Sequence, residues 1–299
     1  MTKLQLNVFQ AISHSLLISF FFVLSLYFIP KILNRVLPKK LSPTKEKKEI
    51  IHRFITVIIV TLISLFSLKI WVVEKNEEPS LISLLGFRSS SFFYAASLPL
   101  FMTICLFLGP LTMMIFDFQN YLFFSHKNFT FQTLIFWLKK PGNEYLPQTN
   151  IQIFRNLVMA PLFEELVFRS GIILLFKFAG IANWKVIVFS PWIFGSAHLH
   201  HLYQNVFVEN LPFLQSLVSS LIQFGFTSIY GMFSAFLFVR TNHFIPLFLT
   251  HSFCNFVGFP QFELIPNHPN RNEILIMLIL GAVLFFSLLF PLTDSYFYQ

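Results

Sequence analysis

Largely apolar runs, most of membrane-spanning length, recur along this chain of 299 residues. Residues 8–29, 54–73 and 92–116 form the first three. Each is long enough, at about 1.5 Å of rise per residue, to cross a hydrocarbon layer roughly 30 Å thick. Lys69 stands close enough to the end of the second run to snorkel to the interface. A fourth run, 155–179, ends at Gly180, and a fifth covers 184–199. Residues 213–239 make a sixth, 244–257 a short seventh and 274–291 an eighth. The pattern predicts an all-α, polytopic transmembrane bundle of about eight helices. Between the third and fourth runs, the aromatic segment 129–138 ends in Lys139-Lys140-Pro141 and reads as an interfacial helix or an ordinary aromatic loop.

Composition supports the bilayer reading. The chain is 55% hydrophobic and 11% charged, whereas soluble domains carry about 25% charged residues. Its 43 Phe suit a lipid-facing surface. The net charge of +8 comes mostly from 30–53, where eight Lys or Arg against two Glu give +6. A basic stretch between two spans marks a cytosolic loop, in contact with anionic lipid rather than with nucleic acid. The next loop, 74–91, carries Glu74, Glu77 and Glu78 and belongs on the opposite side. Residues 117–150 then return to the cytosol. Cys105 and Cys254 sit in apolar runs without the spacing of a disulfide framework or a zinc site. The chain reads as one integral membrane domain, 1–299. Its parts are N-terminal spans and loops (1–150), the chemistry-bearing helices (151–260) and a last span (261–299).

Three ionisable side chains interrupt the apolar stretch 157–176 of the fourth run: Glu164, Glu165 and Arg169. A charge at mid-membrane costs roughly 2.5 kcal/mol or more by insertion scales, so an intramembrane carboxylate is a site hypothesis by default. Glu165 and Arg169 stand at i and i+4 with the acid first, the favourable order for an ion pair. Glu164 is rotated by about 100° and is left as the carboxylate available as a base. Pro161, just upstream, removes a backbone donor and predicts a local kink.

Two further helices carry polar groups at the same spacing, Phe194 with His198 and His251 with Asn255. Alternating span directions place Glu164 about 13 Å into the cytosolic leaflet at 1.5 Å per residue. They place His198, His251 and Asn255 in that leaflet too. One polar cavity open to the cytosol is therefore expected. A carboxylate can act as general base and a His can share the proton of an attacking water. An Asn amide and a His N–H suit a developing oxyanion. The combination suits amide hydrolysis. No Gly-x-Ser-x-Gly elbow and no His-Glu-x-x-His occur, which disfavours serine hydrolases and zincins. His200 and His201 read as a wet helix end, and Arg240-Thr241-Asn242-His243 as a closing turn. A scaffold on the same fold, or a transporter with a proton-relay carboxylate, remains open on these residues alone.

Three motifs occur in order: Glu164-Glu165-Leu166-Val167-Phe168-Arg169, then Phe194-Gly195-Ser196-Ala197-His198, then His251-Ser252-Phe253-Cys254-Asn255. In this the sequence resembles the eukaryotic type II CAAX prenyl endopeptidases, the Ras-converting enzymes, within the wider group of CPBP intramembrane proteases. The resemblance covers about 155–260. It implies an eight-helix protease of the endoplasmic reticulum, with its active site open toward the cytosol. Such an enzyme removes the last three residues of farnesylated or geranylgeranylated CAAX proteins such as small GTPases. By the same resemblance Glu164 and His198 activate water, His251 and Asn255 form the oxyanion site, and Glu165, Arg169 and Phe194 support them. It implies no cofactor and no nucleic-acid partner; zinc dependence, argued for the family, is left open.

Overall fold

The computed structural model describes residues 6–36, 45–69, 80–138, 148–207 and 209–299, and every element among them is helical. The chain begins with α1 (Val8–Val36), α2 (Lys45–Leu68) and the short α3 (Leu81–Leu84). Next come α4 (Phe92–Leu106), α5 (Leu108–Phe124) and α6 (Phe131–Leu138). One continuous helical run then carries α7 (Asn150–Phe154), α8 (Ala160–Glu164) and α9 (Ile172–Phe178). π-Helical turns at Arg155–Met159 and Glu165–Gly171 separate its three parts. The chain continues through α10 (Asn183–Ala197), α11 (His200–Phe207), α12 (Phe213–Thr241), α13 (Ile245–Val257) and α14 (Arg271–Leu289).

The polytopic helical class predicted from the sequence is the one observed. Among the described residues four helices, α1, α2, α12 and α14, are long and apolar enough to cross a bilayer singly. α4 and α5 reach that length and apolarity only as a pair, bent by 69°, the geometry of a broken span or a re-entrant loop. The expected third span is therefore two helices that meet at Phe107. Pro110 gives the reason: lacking an N–H, it leaves the Leu106 carbonyl without its i+4 donor. Helix then continues to Phe124, so Asp117 lies inside α5 rather than at the start of a loop. There its carboxylate meets His268 Nε2 at 3.4 Å. The Asn270 N–H donates to His268 Nδ1 at 3.0 Å, so the neutral ring carries its proton on Nε2 and donates it to Asp117. α2 also starts earlier than hydropathy suggests, because Lys and Glu are good helix formers. Of the two readings of the aromatic segment 129–138, helix or loop, α6 makes it a helix over Phe131–Leu138. Residues 37–44, Glu74, Glu77, Glu78 and Lys139-Lys140-Pro141 fall outside the described residues.

The chain divides into two compact units, 1–89 with 162–247 and 90–161 with 248–299. In the first, α12 lies along α10, and α1 packs on α2, α9 and α10. Phe22, Leu68, Phe168, Ile172, Val186, Phe194 and Phe238 are buried there. α12 turns small side chains inward, Ser216, Ser220, Ser228, Gly231, Ser234 and Ala235. Leu214, Leu221, Ile222 and Ile229 face outward. In water this distribution is inverted; in lipid it is expected, because helices there associate through close approach and interhelical polar contacts. α1 and α2 follow the same rule. His14 Nε2 meets Ser67 Oγ at 2.9 Å and Thr56 Oγ1 donates to the Ser25 carbonyl at 3.1 Å, while Phe20, Phe21, Leu62 and Phe66 are exposed.

In the second unit α14 packs against α4 and α5. A Cβ added at Gly281 would overlap the Cys105 carbonyl oxygen, and one at Gly109 would stand 2.9 Å from Leu278 Cβ. Gly281→Ala is accordingly expected to cost about 1–3 kcal/mol, the usual range for overpacking. A melting curve of the purified variant checks this: its midpoint falls clearly below that of the wild type, and an unchanged midpoint contradicts the crossing.

Candidate active site

The helical run Asn150–Phe178 is built around its proline. Thr149 caps it, with Gln152 returning the bond to the Thr149 N–H at 2.6 Å. In the π turn Arg155–Met159 the Ala160 N–H reaches back to the Arg155 carbonyl. The next carbonyl, of Asn156, would then need a donor from Pro161, which has none. The Leu157 carbonyl would look to the same proline for an ordinary i+4 bond. Both acceptors are served by side chains of α13. Asn255 Nδ2 donates to the Asn156 carbonyl at 2.9 Å, and Ser252 Oγ donates to the Leu157 carbonyl at 2.7 Å. α13 also presents His251, which is 8% exposed. Sequence reasoning placed Asn255 at an oxyanion; one of its two amide protons is spent here on backbone. Ser252→Ala leaves a partly buried carbonyl unpaired and is expected to cost about 1–3 kcal/mol, read as a lowered melting midpoint.

The other side chains lie in the first unit. Glu164 ends α8 and is partly exposed. Glu165 opens the second π turn and is 0% exposed, and Arg169 is 1% exposed. The sequence predicted their pairing, and Arg169 Nε lies 3.4 Å from Glu165 Oε2. That contact is an ion pair without hydrogen-bond geometry: among the described residues no guanidinium N–H reaches an acceptor well enough aligned to count as a hydrogen bond. The charge is instead stacked, its central carbon 3.8 Å from the centroid of the Phe194 ring. Ser234 of α12, which sequence reasoning passed over, donates to Glu165 Oε2 at 2.6 Å.

Phe194 joins this pair to the next predicted residue. Its ring meets the His198 ring edge-on at 4.6 Å between centroids, and packs on Phe168 at 5.1 Å. Its carbonyl lies 3.1 Å from His198 Nδ1. A carbonyl only accepts, so Nδ1 carries the proton and the neutral ring offers Nε2 as the acceptor. His198 itself is partly exposed at the C-terminal cap of α10. Glu165, Arg169, Phe194 and His198 thus form one connected group, with partly exposed Glu164 next to it in sequence. His251 and Asn255 are four residues apart on α13, in the second unit. Phe194→Leu keeps most of the packing but removes the stacked ring, an interaction worth about 2 kcal/mol when desolvated. It is expected to lower both the melting midpoint and peptide cleavage.

π turns occur disproportionately at functional sites, and here one lies on either side of α8, whose last residue is Glu164, with Glu165 opening the second. Polar groups at such a site, in apolar surroundings, can hold a water and a peptide carbonyl. The family model for Rce1-like type II CAAX prenyl endopeptidases matches residues 147–257, the segment that carries all three motifs. Human CAAX prenyl protease 2 is 37% identical over 264 residues, 86% of this chain and 75% of its own. The Arabidopsis thaliana protein of the same name is 30% identical over 299 residues, 97% of this chain and 91% of its own. A Schizosaccharomyces pombe protein named probable CAAX prenyl protease 2 is 31% identical over 190 residues, 63% of this chain and 64% of its own. No solved structure gives a significant match. Likeness of this extent, over most of both chains, means that the chain belongs to the Rce1-like type II CAAX prenyl endopeptidase family.

Proposed function

We propose that this chain is an intramembrane endopeptidase that removes the C-terminal tripeptide from farnesylated or geranylgeranylated CAAX proteins, small GTPases among them. It works in the endoplasmic reticulum membrane with its site open to the cytosol. The prenyl chain stays in lipid while the peptide enters from the aqueous side. The observation that carries the division of roles is the contrast between two adjacent carboxylates. Glu165 is buried and committed to Arg169 and Ser234, whereas Glu164 is partly exposed.

In the reaction Glu164 takes a proton from water, with His198 Nε2 accepting a second hydrogen bond and aligning the nucleophile. The water oxygen adds to the carbonyl carbon of the prenylated cysteine. His251 and the Asn255 amide hold the oxyanion, a contribution of about 10²–10³ in kcat for one such donor. The C–N bond then breaks, the proton held on Glu164 passes to the leaving amine, and the products are a prenylcysteine carboxylate and a free tripeptide. The test is mass spectrometry of a farnesylated CAAX peptide and its unprenylated twin, each incubated with purified protein. The farnesylated peptide is expected to lose three residues and its twin to persist. Equal cleavage of both, or a cut at another bond, would overturn the assignment.

A further inference from the structure

We infer that Ser234 and Gly231 of α12 form the socket that holds the Glu165–Arg169 pair and, through it, fixes the orientation of Glu164, which makes them positioning residues for the cleavage. This rests on the reading of Glu164 as the base. Neither residue belongs to the three motifs, and α12 carries no Asp, Glu, Lys, Arg or His before Arg240. Yet α12 supplies a neutral hydroxyl to the buried carboxylate, at 2.6 Å. Ser234 is itself 0% exposed. Glu165 Oε2 is thereby held from two directions, by Ser234 Oγ and by Arg169 Nε.

Gly231 lies one helical turn before Ser234, so both look the same way off α12. A Cβ at Gly231 would stand 3.0 Å from Arg169 Nη2 and 2.8 Å from Pro191 Cβ. A side chain there would press on the guanidinium stacked on the Phe194 ring and on Pro191. The pair is thus located by a hydroxyl at one position and by absent volume at the other.

The consequence reaches Glu164 through the backbone. Glu164 and Glu165 are consecutive, and the π turn begins between them. A π turn is a local deviation from α geometry that its surroundings must hold in place. If the Glu165 carboxylate swings, the peptide that carries Glu164 rotates with it. Loss of the hydroxyl therefore alters turnover more than peptide binding.

Ser234→Ala removes one oxygen and leaves the packing almost unchanged; Ser234→Thr keeps the hydroxyl. With purified protein and a farnesylated CAAX peptide, Ser234→Ala is expected to lower kcat about tenfold, the scale of one hydrogen bond to a charged group, with KM within twofold. Ser234→Thr should recover most of that loss. In Ser234→Ala combined with Glu165→Gln, kcat should fall no further than in the worse single variant, because both changes act on one interaction. A purely structural role predicts instead a lowered melting midpoint with unchanged kcat. Wild-type kcat in Ser234→Ala, or losses that add in full, would overturn the inference. Glu164→Ala in the same assay separates the two levels. If it cleaves normally, the reading of Glu164 has failed; if it is inactive while Ser234→Ala is normal, only the socket has failed.

Discussion

Glu164→Gln is expected to reduce kcat by roughly 10²- to 10⁴-fold, the usual contribution of a positioned general base, while the protein folds and inserts as before. The amide has the shape of the carboxylate but cannot take a proton from water. Glu164 is partly exposed at the end of α8, so losing its charge costs the fold far less than it would at the fully buried Glu165. KM for the prenylated peptide should change little, since a base acts mainly on the transition state. A melting curve measured beside the rate separates the two effects: the midpoint holds while turnover collapses. A variant with normal turnover would show that the proton is removed elsewhere.

The second large effect falls on stability. Arg169→Ala leaves the Glu165 carboxylate 0% exposed, with its opposing charge gone. Removing one partner of a buried pair costs about 3–5 kcal/mol, because the remaining charge is neither solvated nor compensated. The Phe194 ring also loses the guanidinium stacked on it at 3.8 Å. The expected outcome is a low yield of protein in detergent and a midpoint well below that of the wild type. Glu165→Ala strands the arginine instead and should behave alike. Combining Glu165→Leu with Arg169→Met replaces both charges with apolar volume, a change that is often neutral in proteins. That double variant should recover the fold without recovering activity, because the carboxylate that Ser234 holds is gone. A midpoint unchanged in Arg169→Ala would mean that the pair contributes little to the fold.

Much of this arrangement is legible in the sequence, and the part that is not has physical causes. Glu165 and Arg169 four residues apart in an apolar run could be read as a pair, and they meet at 3.4 Å. The same spacing pointed to Phe194 and His198, whose rings touch. The π turns on either side of α8 leave no periodic signature. Their one trace is Pro161, whose missing N–H is felt at Asn156 and Leu157 and answered about 95 residues later by Ser252 and Asn255. Ser234 escaped because one serine in an uncharged helix looks like any other; only its neighbour across the interface distinguishes it. The break at Phe107 was hidden because a hydropathy window averages over Pro110. Charge and span end usually coincide, yet Asp117 lies inside α5, where His268 gives it a partner. The span pattern shifts for a related reason. α10 and α13 are 15 and 13 residues long, shorter than the roughly 20 residues of a full crossing.

The most direct test of the central claim is cleavage of a farnesylated CAAX peptide by the purified protein, with and without a strong chelator, beside Glu164→Ala. The account predicts release of the intact tripeptide by the wild type in both conditions, and none by the folded variant. Cleavage abolished by chelation and restored by zinc, or undiminished in Glu164→Ala, would contradict it.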